Sequence, residues 1–199
     1  MAIATFWLAP RIRQFRADNP DIEIRVVVSD DPPNMISQQI DVGFRYGSGQ
    51  WKDVEKVHLF KTETFPVCAP DYIADAPDLS SPEDLLEHTL LNLDGAQHDE
   101  ENWAWWLDAA EVGHPSQQKI GFDNYNLVIQ AALDGDGVAL GFSGILDDLL
   151  EKKKLVKPLP QSFSKGHSVY LTTPKDSKPR KEVATFISWV EAQASEHYP

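Results

Sequence analysis

The sequence predicts an α/β fold, in which helices cover sheets in layers. Segments with the period-2 alternation of a strand and segments with the 3.6-residue periodicity of a helix follow one another along the whole chain. This order favours mainly parallel sheets. The length of 199 residues is enough for one or two lobes with a core. No internal repeat and no low-complexity linker is present, so a division into lobes is expected at strands that cross between them.

The chain opens with a predicted helix and then a predicted strand. Over residues 6–17, apolar positions spaced i, i+4 and i+7 form one helical stripe, and Thr5 is the expected N-cap. Asn19 and Pro20 end this helix, because the residue before a proline disfavours helical geometry. Residues 22–28 are rich in β-branched side chains and mostly alternate, which predicts a strand.

The remaining elements continue the alternation. The residues that follow Ser81 are a typical helix start, with proline in the first turn and an acid at the third position. Asp123 is the expected cap of a helix that ends before Gly135. Further strands are predicted over residues 41–46, 57–60, 64–68, 90–93, 120–122, 138–140, 155–159 and 168–173, and further helices over residues 102–110, 145–151 and 182–194.

The net charge of −13 is spread unevenly along the sequence. No lysine or arginine occurs between Lys61 and Lys119, and that stretch carries thirteen acidic residues. An acidic face repels phosphate backbones, so this chain alone is not expected to bind DNA or RNA. Two interpretations remain: a solvated surface that aids solubility, or a docking site for a basic partner.

The sequence lacks the patterns of a catalytic, metal or cofactor site. The six histidines have no metal-ligand spacing, and there is no phosphate-binding loop. The glycines of residues 135–141 follow a helix and enter a strand, whereas a dinucleotide motif requires the reverse order. Cys68 is the only cysteine, so no internal disulfide is possible and a reducing cytoplasm is expected. The N-terminus shows no signal-peptide pattern, and no apolar run is long enough for a membrane span.

Five stretches resemble, in order, the effector-binding domain of LysR-type transcriptional regulators. The first stretch, residues 5–22, includes the helix after Thr5. The second stretch, residues 41–51, resembles in particular the subgroup of glycine-cleavage activators and β-lactamase regulators. The five stretches occur in the same order and spacing as in that family, and together they cover nearly the whole chain. They are residues 5–22, 41–51, 65–70, 103–107 and 131–141.

The resemblance implies two Rossmann-like lobes joined by two crossover strands, which is a periplasmic-binding-protein-like fold of type 2. Lobe I is expected over residues 1–66 plus 165–199 and lobe II over residues 67–164, with the first strand of the family shortened to residues 1–4. The helix-turn-helix DNA-binding domain of the family is absent from this sequence, so DNA contact is expected only through a parent protein. The resemblance also implies a homodimer or homotetramer, with lobe I of one subunit beside lobe II of another.

A small polar effector is expected between the lobes: an amino acid, an organic acid or a cell-wall fragment. Ligands of open α/β sheets bind beyond the carboxyl ends of strands, where the starts of helices present free N–H groups. Arginine at a strand end suits bidentate binding of a carboxylate. No catalytic residue, cofactor or metal is expected. The predicted ligand contacts are Thr5, Phe6, Trp7, Arg45, Tyr46, Phe65, Asn124, Tyr125 and Ser143.

Other interpretations of these residues and of the whole chain stay open at this stage. Thr5 and Asp123 can be helix caps only, Arg45 can pair with a surface acid, and the tryptophans of residues 102–110 can be packing residues. A solute-binding receptor of the periplasmic type shares the same architecture, although the missing signal-peptide pattern argues against it. An enzyme on the same fold is a third alternative, against which the missing catalytic constellation argues.

Overall fold

The computed structural model contains a mixed α/β fold with two separate sheets, which confirms the predicted class. Seven strands and six α-helices are present among the described residues, together with one π-helical and one 3₁₀ segment. No helix in this part of the chain combines the length and the apolar character that crossing a bilayer requires. The structure describes residues 2–29, 34–95, 102–114, 119–175 and 178–197.

The chain forms two compact units. Unit 1 consists of Met1–Thr62 and Gly166–Pro199, and unit 2 consists of Glu63–Lys165. Each unit is built on one of the two sheets. The chain therefore passes out of the first unit once and returns to it once.

Unit 1 is built on a three-stranded antiparallel sheet. Its strands are β1 (Gly43–Gly47), β2 (Val54–Lys61) and β7 (Ser168–Pro174), in the order β1-β7-β2. A bulge between His58 and Phe60 interrupts the pairing of β2 with β7. The expectation of mainly parallel pairing is wrong in this sheet, since β7 runs antiparallel to both β1 and β2. Unit 2 lies between β2 and β7 in the sequence, so β7 is not connected to β2 by a single crossover helix. The alternation of helices and strands therefore does not determine its direction.

The first helix begins earlier than the sequence predicts. It starts as a π-helical segment, Ile3–Leu8, and continues directly as α1, Ala9–Asp18. Ala2 occupies the N-cap position, so Thr5 lies inside the helix and its prediction as the cap is wrong. The prediction of a shortened strand over residues 1–4 is also wrong, since this helix already includes Ile3. In the π segment the N–H of Ala9 donates to the carbonyl five residues back, just before Pro10, which has no N–H to donate.

Aromatic rings join the first helix to the sheet and to α6 (Lys181–His197). Phe15 is fully buried and lies 5.2 Å from the ring of Phe186 and 5.1 Å from that of Trp189, between ring centroids. The predicted apolar stripe of the first helix therefore faces the core of unit 1. The strand predicted over residues 22–28, by contrast, does not form: this segment has no regular secondary structure and pairs with no strand in the part of the chain that the structure describes.

Unit 2 contains a four-stranded mixed sheet in the order β3-β6-β4-β5. β4 pairs in parallel with both β5 and β6, whereas β3 is antiparallel to β6. Residues 155–159 do not form the predicted strand: only an isolated β-bridge between Val156 and Cys68 is present there. The strands are β3 (Thr64–Val67), β4 (Leu90–Leu93), β5 (Lys119–Phe122) and β6 (Val138–Phe142).

Unit 2 also contains five helical segments among the described residues. The start predicted at Ser81 is confirmed by a capping box, in which the side chains of Ser81 and Asp84 each accept a backbone N–H. The helix α2 was not predicted from the sequence. The helices are α2 (Pro70–Asp75), a 3₁₀ helix (Pro82–Glu87), α3 (Trp103–Ala109), α4 (Tyr125–Leu133) and α5 (Asp147–Glu151).

Two tryptophans of α3 form the centre of the unit 2 core. Trp103 and Trp106 are fully buried, and their rings lie 6.0 Å apart between centroids. Each indole N–H donates to a backbone carbonyl, of Leu91 at 3.0 Å and of Thr64 at 3.1 Å. Both polar atoms are therefore satisfied within the fold, and these tryptophans are packing residues.

Candidate functional site

The three site residues predicted on the first helix have different environments. Thr5 is exposed, Phe6 is half-buried and Trp7 is fully buried. The ring of Trp7 packs against Phe44 and Phe60, at 5.9 and 6.0 Å between centroids. Its indole Nε1 is buried and has no hydrogen-bond partner among the described residues. Trp7 therefore belongs to the core of unit 1, with one polar atom that water or a ligand group could satisfy.

Strand β1 directs Arg45 away from this helix. Neighbouring residues of a strand point to opposite faces, so Arg45 lies on the face opposite Phe44 and Trp7. There its guanidinium binds both carboxylate oxygens of Asp53, at 2.8 and 3.2 Å, and lies 5.6 Å from the centroid of the Trp51 ring. The hydrogen bond from Arg45 is the main cause that lowers the pKa of Asp53. The structure thus does not bring Arg45 together with Thr5.

Tyr46 lies on the same face of β1 as Phe44, and two residues that the sequence did not single out accompany it. The hydroxyl of Thr62 donates to the Tyr46 hydroxyl at 3.4 Å and lies 3.3 Å from the carbonyl of His167. The ring of His167 stands edge-on to that of Tyr46, with 5.4 Å between centroids. Thr62 follows β2 and His167 precedes β7, so the antiparallel pairing of these strands with β1 assembles the group.

In unit 2, the start of α4 involves Asn124 instead of Asp123. Asn124 is the N-cap, and its side-chain oxygen accepts the N–H of Asn126 at 2.9 Å, so the prediction of Asp123 as the cap is wrong by one residue. Tyr125 is buried, and its hydroxyl donates to the carbonyl of Leu140 at 3.1 Å. Burial raises the pKa of Tyr125 well above the usual value of a tyrosine. Tyr125 thus has a structural hydrogen bond.

Phe65 belongs to the pairing of β3 with β6, and Ser143 directly follows β6. The hydroxyl of Ser143 accepts the N–H of Glu63 at 2.8 Å, and the Ser143 N–H donates to the Glu63 carbonyl at 2.9 Å. Phe65 is buried, and the ammonium of Lys157 lies 4.6 Å from the centre of its ring. These contacts hold the first residues of unit 2 in place.

A small cavity lies beside the carboxyl ends of β4 and β6. Its volume of about 20 Å³ is room for one water molecule. Two asparagines that the sequence analysis did not include stand at it: Asn92 accepts the N–H of Trp103 at 3.4 Å, and Asn102 caps α3 by accepting the N–H of Trp105. The lining residues are Leu91, Asn92, Leu93, Asn102, Trp103, Tyr125, Val128, Leu140 and Phe142.

The two units therefore carry separate sets of polar groups near strand ends. Unit 1 offers the hydroxyls of Tyr46 and Thr62, and unit 2 offers Asn92, Asn102 and the first turn of α4. Hydroxyls, side-chain amides and backbone N–H groups suit the recognition of a small polar molecule. Within the described ranges, no group of three or more histidine, cysteine, aspartate or glutamate side chains could hold a metal ion.

Comparison with known proteins identifies the class of this domain. Residues 1–195 match the profile of the LysR substrate binding domain, and the chain belongs to this family. It is 29% identical over 195 residues to the glycine cleavage system transcriptional activator of Escherichia coli strain K12, covering 98% of this chain and 63% of that protein. It is 30% identical over 199 residues to the HTH-type transcriptional activator AmpR of Pseudomonas aeruginosa, covering 98% of this chain and 64% of that protein.

Solved structures agree with this assignment. The effector domain of AmpR from Pseudomonas aeruginosa superposes with a TM-score of 0.78 at 28% identity, covering 98% of this chain and 92% of that one. The AmpR effector binding domain from Citrobacter freundii gives a TM-score of 0.80 at 22% identity, covering 98% and 94%, which supports the fold alone. The predicted fold of periplasmic-binding-protein type 2 is thereby confirmed.

Membership of this family also answers the question of catalysis. The curated relatives are transcriptional regulators and not enzymes, so the prediction of a non-enzymatic domain is confirmed. The chain spans slightly less than two thirds of the length of these relatives. It corresponds to the LysR substrate binding domain of such regulators.

Proposed function

We propose that this domain senses a small polar effector, which binds in a cleft between the two lobes and changes transcription through a longer parent protein. The observation that carries the proposal is the group formed by Tyr46, Thr62 and His167, which lies where three strands of unit 1 begin or end. The chain belongs to the LysR substrate binding domain family, in which a bound small molecule is expected. The unit 2 contribution to the site is the N-terminus of α4 with Asn124. Residues 1–66 plus 165–199 are proposed as lobe I and residues 67–164 as lobe II.

The proposed effector is an anionic or zwitterionic molecule, such as an amino acid, an organic acid or a cell-wall fragment. The whole formal net charge falls on residues 63–165, which hold nineteen acidic and six basic residues. An anion would therefore be bound by hydroxyl donors and helix N-termini, whose partial positive charge stabilises anions. Arg45 is not part of this proposal, because Asp53 occupies its guanidinium on the other face of β1.

Effector binding would act on DNA only through the parent protein. Closing of lobes on a ligand is a common way to shift a regulator between two states. The proposal includes a homodimer or homotetramer, and a cytoplasmic location because regulation occurs at the DNA. The regulators among the relatives favour this role over that of a periplasmic solute receptor.

The test begins with thermal-shift screening of amino acids, organic acids and cell-wall fragments, followed by calorimetry with the effector found. Thr5, exposed on the first helix, is proposed as a further hydroxyl contact of the effector. Tyr46→Phe and Thr5→Val remove one hydroxyl each and keep the shape. Each is expected to weaken binding about tenfold, which equals about 1.4 kcal/mol. Thr185→Val on α6 is the matched control, because its hydroxyl bonds the carbonyl of Lys181 in the same helix. Unchanged affinity in both site variants would contradict the proposed site.

A further inference from the structure

At the carboxyl end of β4, an aspartate side chain lies across the neighbouring strand. The N–H of Asp94 donates to the carbonyl of Phe122 at 2.7 Å, so Asp94 lies beside the end of β5. Its carboxylate covers Gly121 of β5: a Cβ at this glycine would be 1.7 Å from one carboxylate oxygen. The missing side chain at position 121 therefore leaves the space that the Asp94 carboxylate occupies.

An asparagine holds this carboxylate in place and connects it to the small cavity of unit 2. Asn92 is the register partner of Gly121 in the parallel pairing of β4 with β5. Its Nδ2 donates to Asp94 at 2.6 Å, and its side-chain oxygen accepts the N–H of Trp103 at 3.4 Å. Asn92 also lines the cavity of about 20 Å³, together with Asn102. Asn92 is thus a positioning residue for a carboxylate beside an unfilled space.

The charge of Asp94 has no ionic partner among the described residues. Its side chain accepts a hydrogen bond from the neutral amide of Asn92, and no ion pair in the described part of the chain includes it. The neighbouring sequence offers no cation either, because no lysine or arginine occurs between Lys61 and Lys119. A carboxylate in such a position repels a ligand that carries only negative charge and attracts a cationic group.

We propose that Asp94 binds a protonated amino group of the effector, which makes the effector a zwitterion and excludes an organic acid without nitrogen. This inference rests on the proposed effector site and narrows the chemical class of its ligand. The carboxylate of the zwitterion stays with the donors of that site, and its ammonium group donates to the Asp94 carboxylate. Hydrogen bonds between ionised groups are roughly twice as strong as neutral ones, so this contact separates amino acids from hydroxy acids of the same shape.

Asp134 provides a matched control for this contact. It is also an exposed aspartate of unit 2 whose carboxylate accepts a side-chain amide, from Gln130 at 2.9 Å. It lies at the C-terminal end of α4, whereas Asp94 lies beside the strand that leads into the start of α4. Asp134→Asn therefore removes the same charge from the same unit, at the opposite end of this helix.

The first experiment is a thermal-shift comparison of the full chain with matched pairs of small acids. Each pair contains a 2-amino acid and the 2-hydroxy acid with the same side chain, such as glycine with glycolate and alanine with lactate. At least one amino acid should raise the melting temperature by several degrees, and its hydroxy partner by much less. Dipeptides of the same amino acids distinguish a peptide from a free amino acid as the source of the amino group.

Calorimetry with the most stabilising amino compound then tests Asp94 itself. Asp94→Asn keeps the shape of the side chain and removes its charge, so the affinity should fall about tenfold. Asp134→Asn should leave the affinity unchanged. The hydroxy partner should bind Asp94→Asn no more weakly than it binds the wild type, because it has no ammonium group to lose.

A second variant displaces the carboxylate without removing it. Gly121→Ala introduces a Cβ where the Asp94 carboxylate lies, and the backbone of Gly121 does not have the positive φ that would disfavour alanine. The affinity for the amino compound should again fall about tenfold, and adding Asp94→Asn should cause little further loss, because both changes remove the same contact. Circular dichroism and the melting temperature without ligand check that the fold is retained.

Several results would overturn the assignment of Asp94. They are hydroxy acids that bind as tightly as their amino partners, an unchanged affinity in Asp94→Asn, an equal loss in Asp134→Asn, and a panel in which no amino compound raises the melting temperature. Tyr46→Phe tests the proposed effector site separately. A hydroxy acid whose binding is weakened by Tyr46→Phe and not by Asp94→Asn would support that site and refute the role of Asp94. An amino compound that depends on Asp94 and not on Tyr46 or Thr5 would do the reverse.

Discussion

Removal of the Tyr125 hydroxyl separates a structural role from a ligand-binding one. The pairing of β4 with β6 ends at Leu91 opposite Ala139, one residue before Leu140. The carbonyl of Leu140 then accepts the Tyr125 hydroxyl at 3.1 Å. Tyr125→Phe leaves this buried carbonyl without that donor. Loss of a partner from a buried polar group costs roughly 1–3 kcal/mol, because the remaining group has also lost its water.

The measurement is denaturant unfolding of wild type and Tyr125→Phe, with effector calorimetry on the same samples. The expected result is a free energy of unfolding lower by about 1–3 kcal/mol, or roughly 2–4 °C in melting temperature for each kcal/mol, with the affinity for effector retained. Tyr46→Phe is the matched variant and should show the opposite: lower affinity and nearly unchanged stability. A Tyr125→Phe protein of wild-type stability but weakened binding would refute the structural role.

Four further predictions follow from the Cys68 thiol, from close packing at Gly137 and from charge. The Cys68 thiol should react with a thiol reagent only after unfolding, because burial raises its pKa to about 12. Since the unfolded thiol ionises near its ordinary value of 9.0, the free energy of unfolding should fall as pH rises from 9.0 towards 12. Gly137→Ala should destabilise unit 2 by a few kcal/mol in a thermal melt, because a Cβ would lie 2.4 Å from the Thr89 carbonyl oxygen. This chain alone should not shift DNA in a low-salt gel, given its charge of −13, and sequence-specific binding would contradict that expectation.

Local patterns predicted the elements whose partners are close in sequence or strongly buried. The strand over residues 90–93 appears with the predicted bounds, and the capping box after Ser81 is present. These patterns reflect a hydrogen bond between residues close in sequence, or a run of apolar residues that is buried. Such elements therefore do not depend on the topology of the rest of the fold. Helix starts were less accurate, because the sequence offers several suitable caps within a few residues, as at Asp123 and Asn124.

Strand prediction was wrong where tertiary pairing decides the outcome. Residues 22–28 have a strand pattern, but β propensity is realised only when a neighbouring strand and a packed face are available. The segment over residues 155–159 reaches only a single bridge, between Val156 and Cys68, for the same reason. The amino-acid pattern indicates that a segment suits a β-sheet, but it does not identify the strand with which that segment pairs.

Prediction of the candidate site from the sequence would have required the direction of each strand and the sheet face that the first helix covers. Period-2 alternation already implies that Arg45 and Tyr46 point to opposite faces of β1, but only the packing of Trp7 on Phe44 shows which face the first helix covers. Thr62 and His167 join Tyr46 because β7 runs antiparallel to β1 and β2. The direction of β7 depends on how the chain returns from unit 2, which no local pattern encodes.

The proposed effector site consists of the strand-end hydroxyls of unit 1 and the start of α4. Chemical-shift mapping by heteronuclear NMR, with the effector found by thermal-shift screening, is the decisive test of this site. The largest shifts are expected at Tyr46, Thr62 and Asn124, with little change at Arg45 and Trp51 on the opposite face of β1. Shifts concentrated at Arg45 and Trp51, with none at Tyr46 or Asn124, would contradict it.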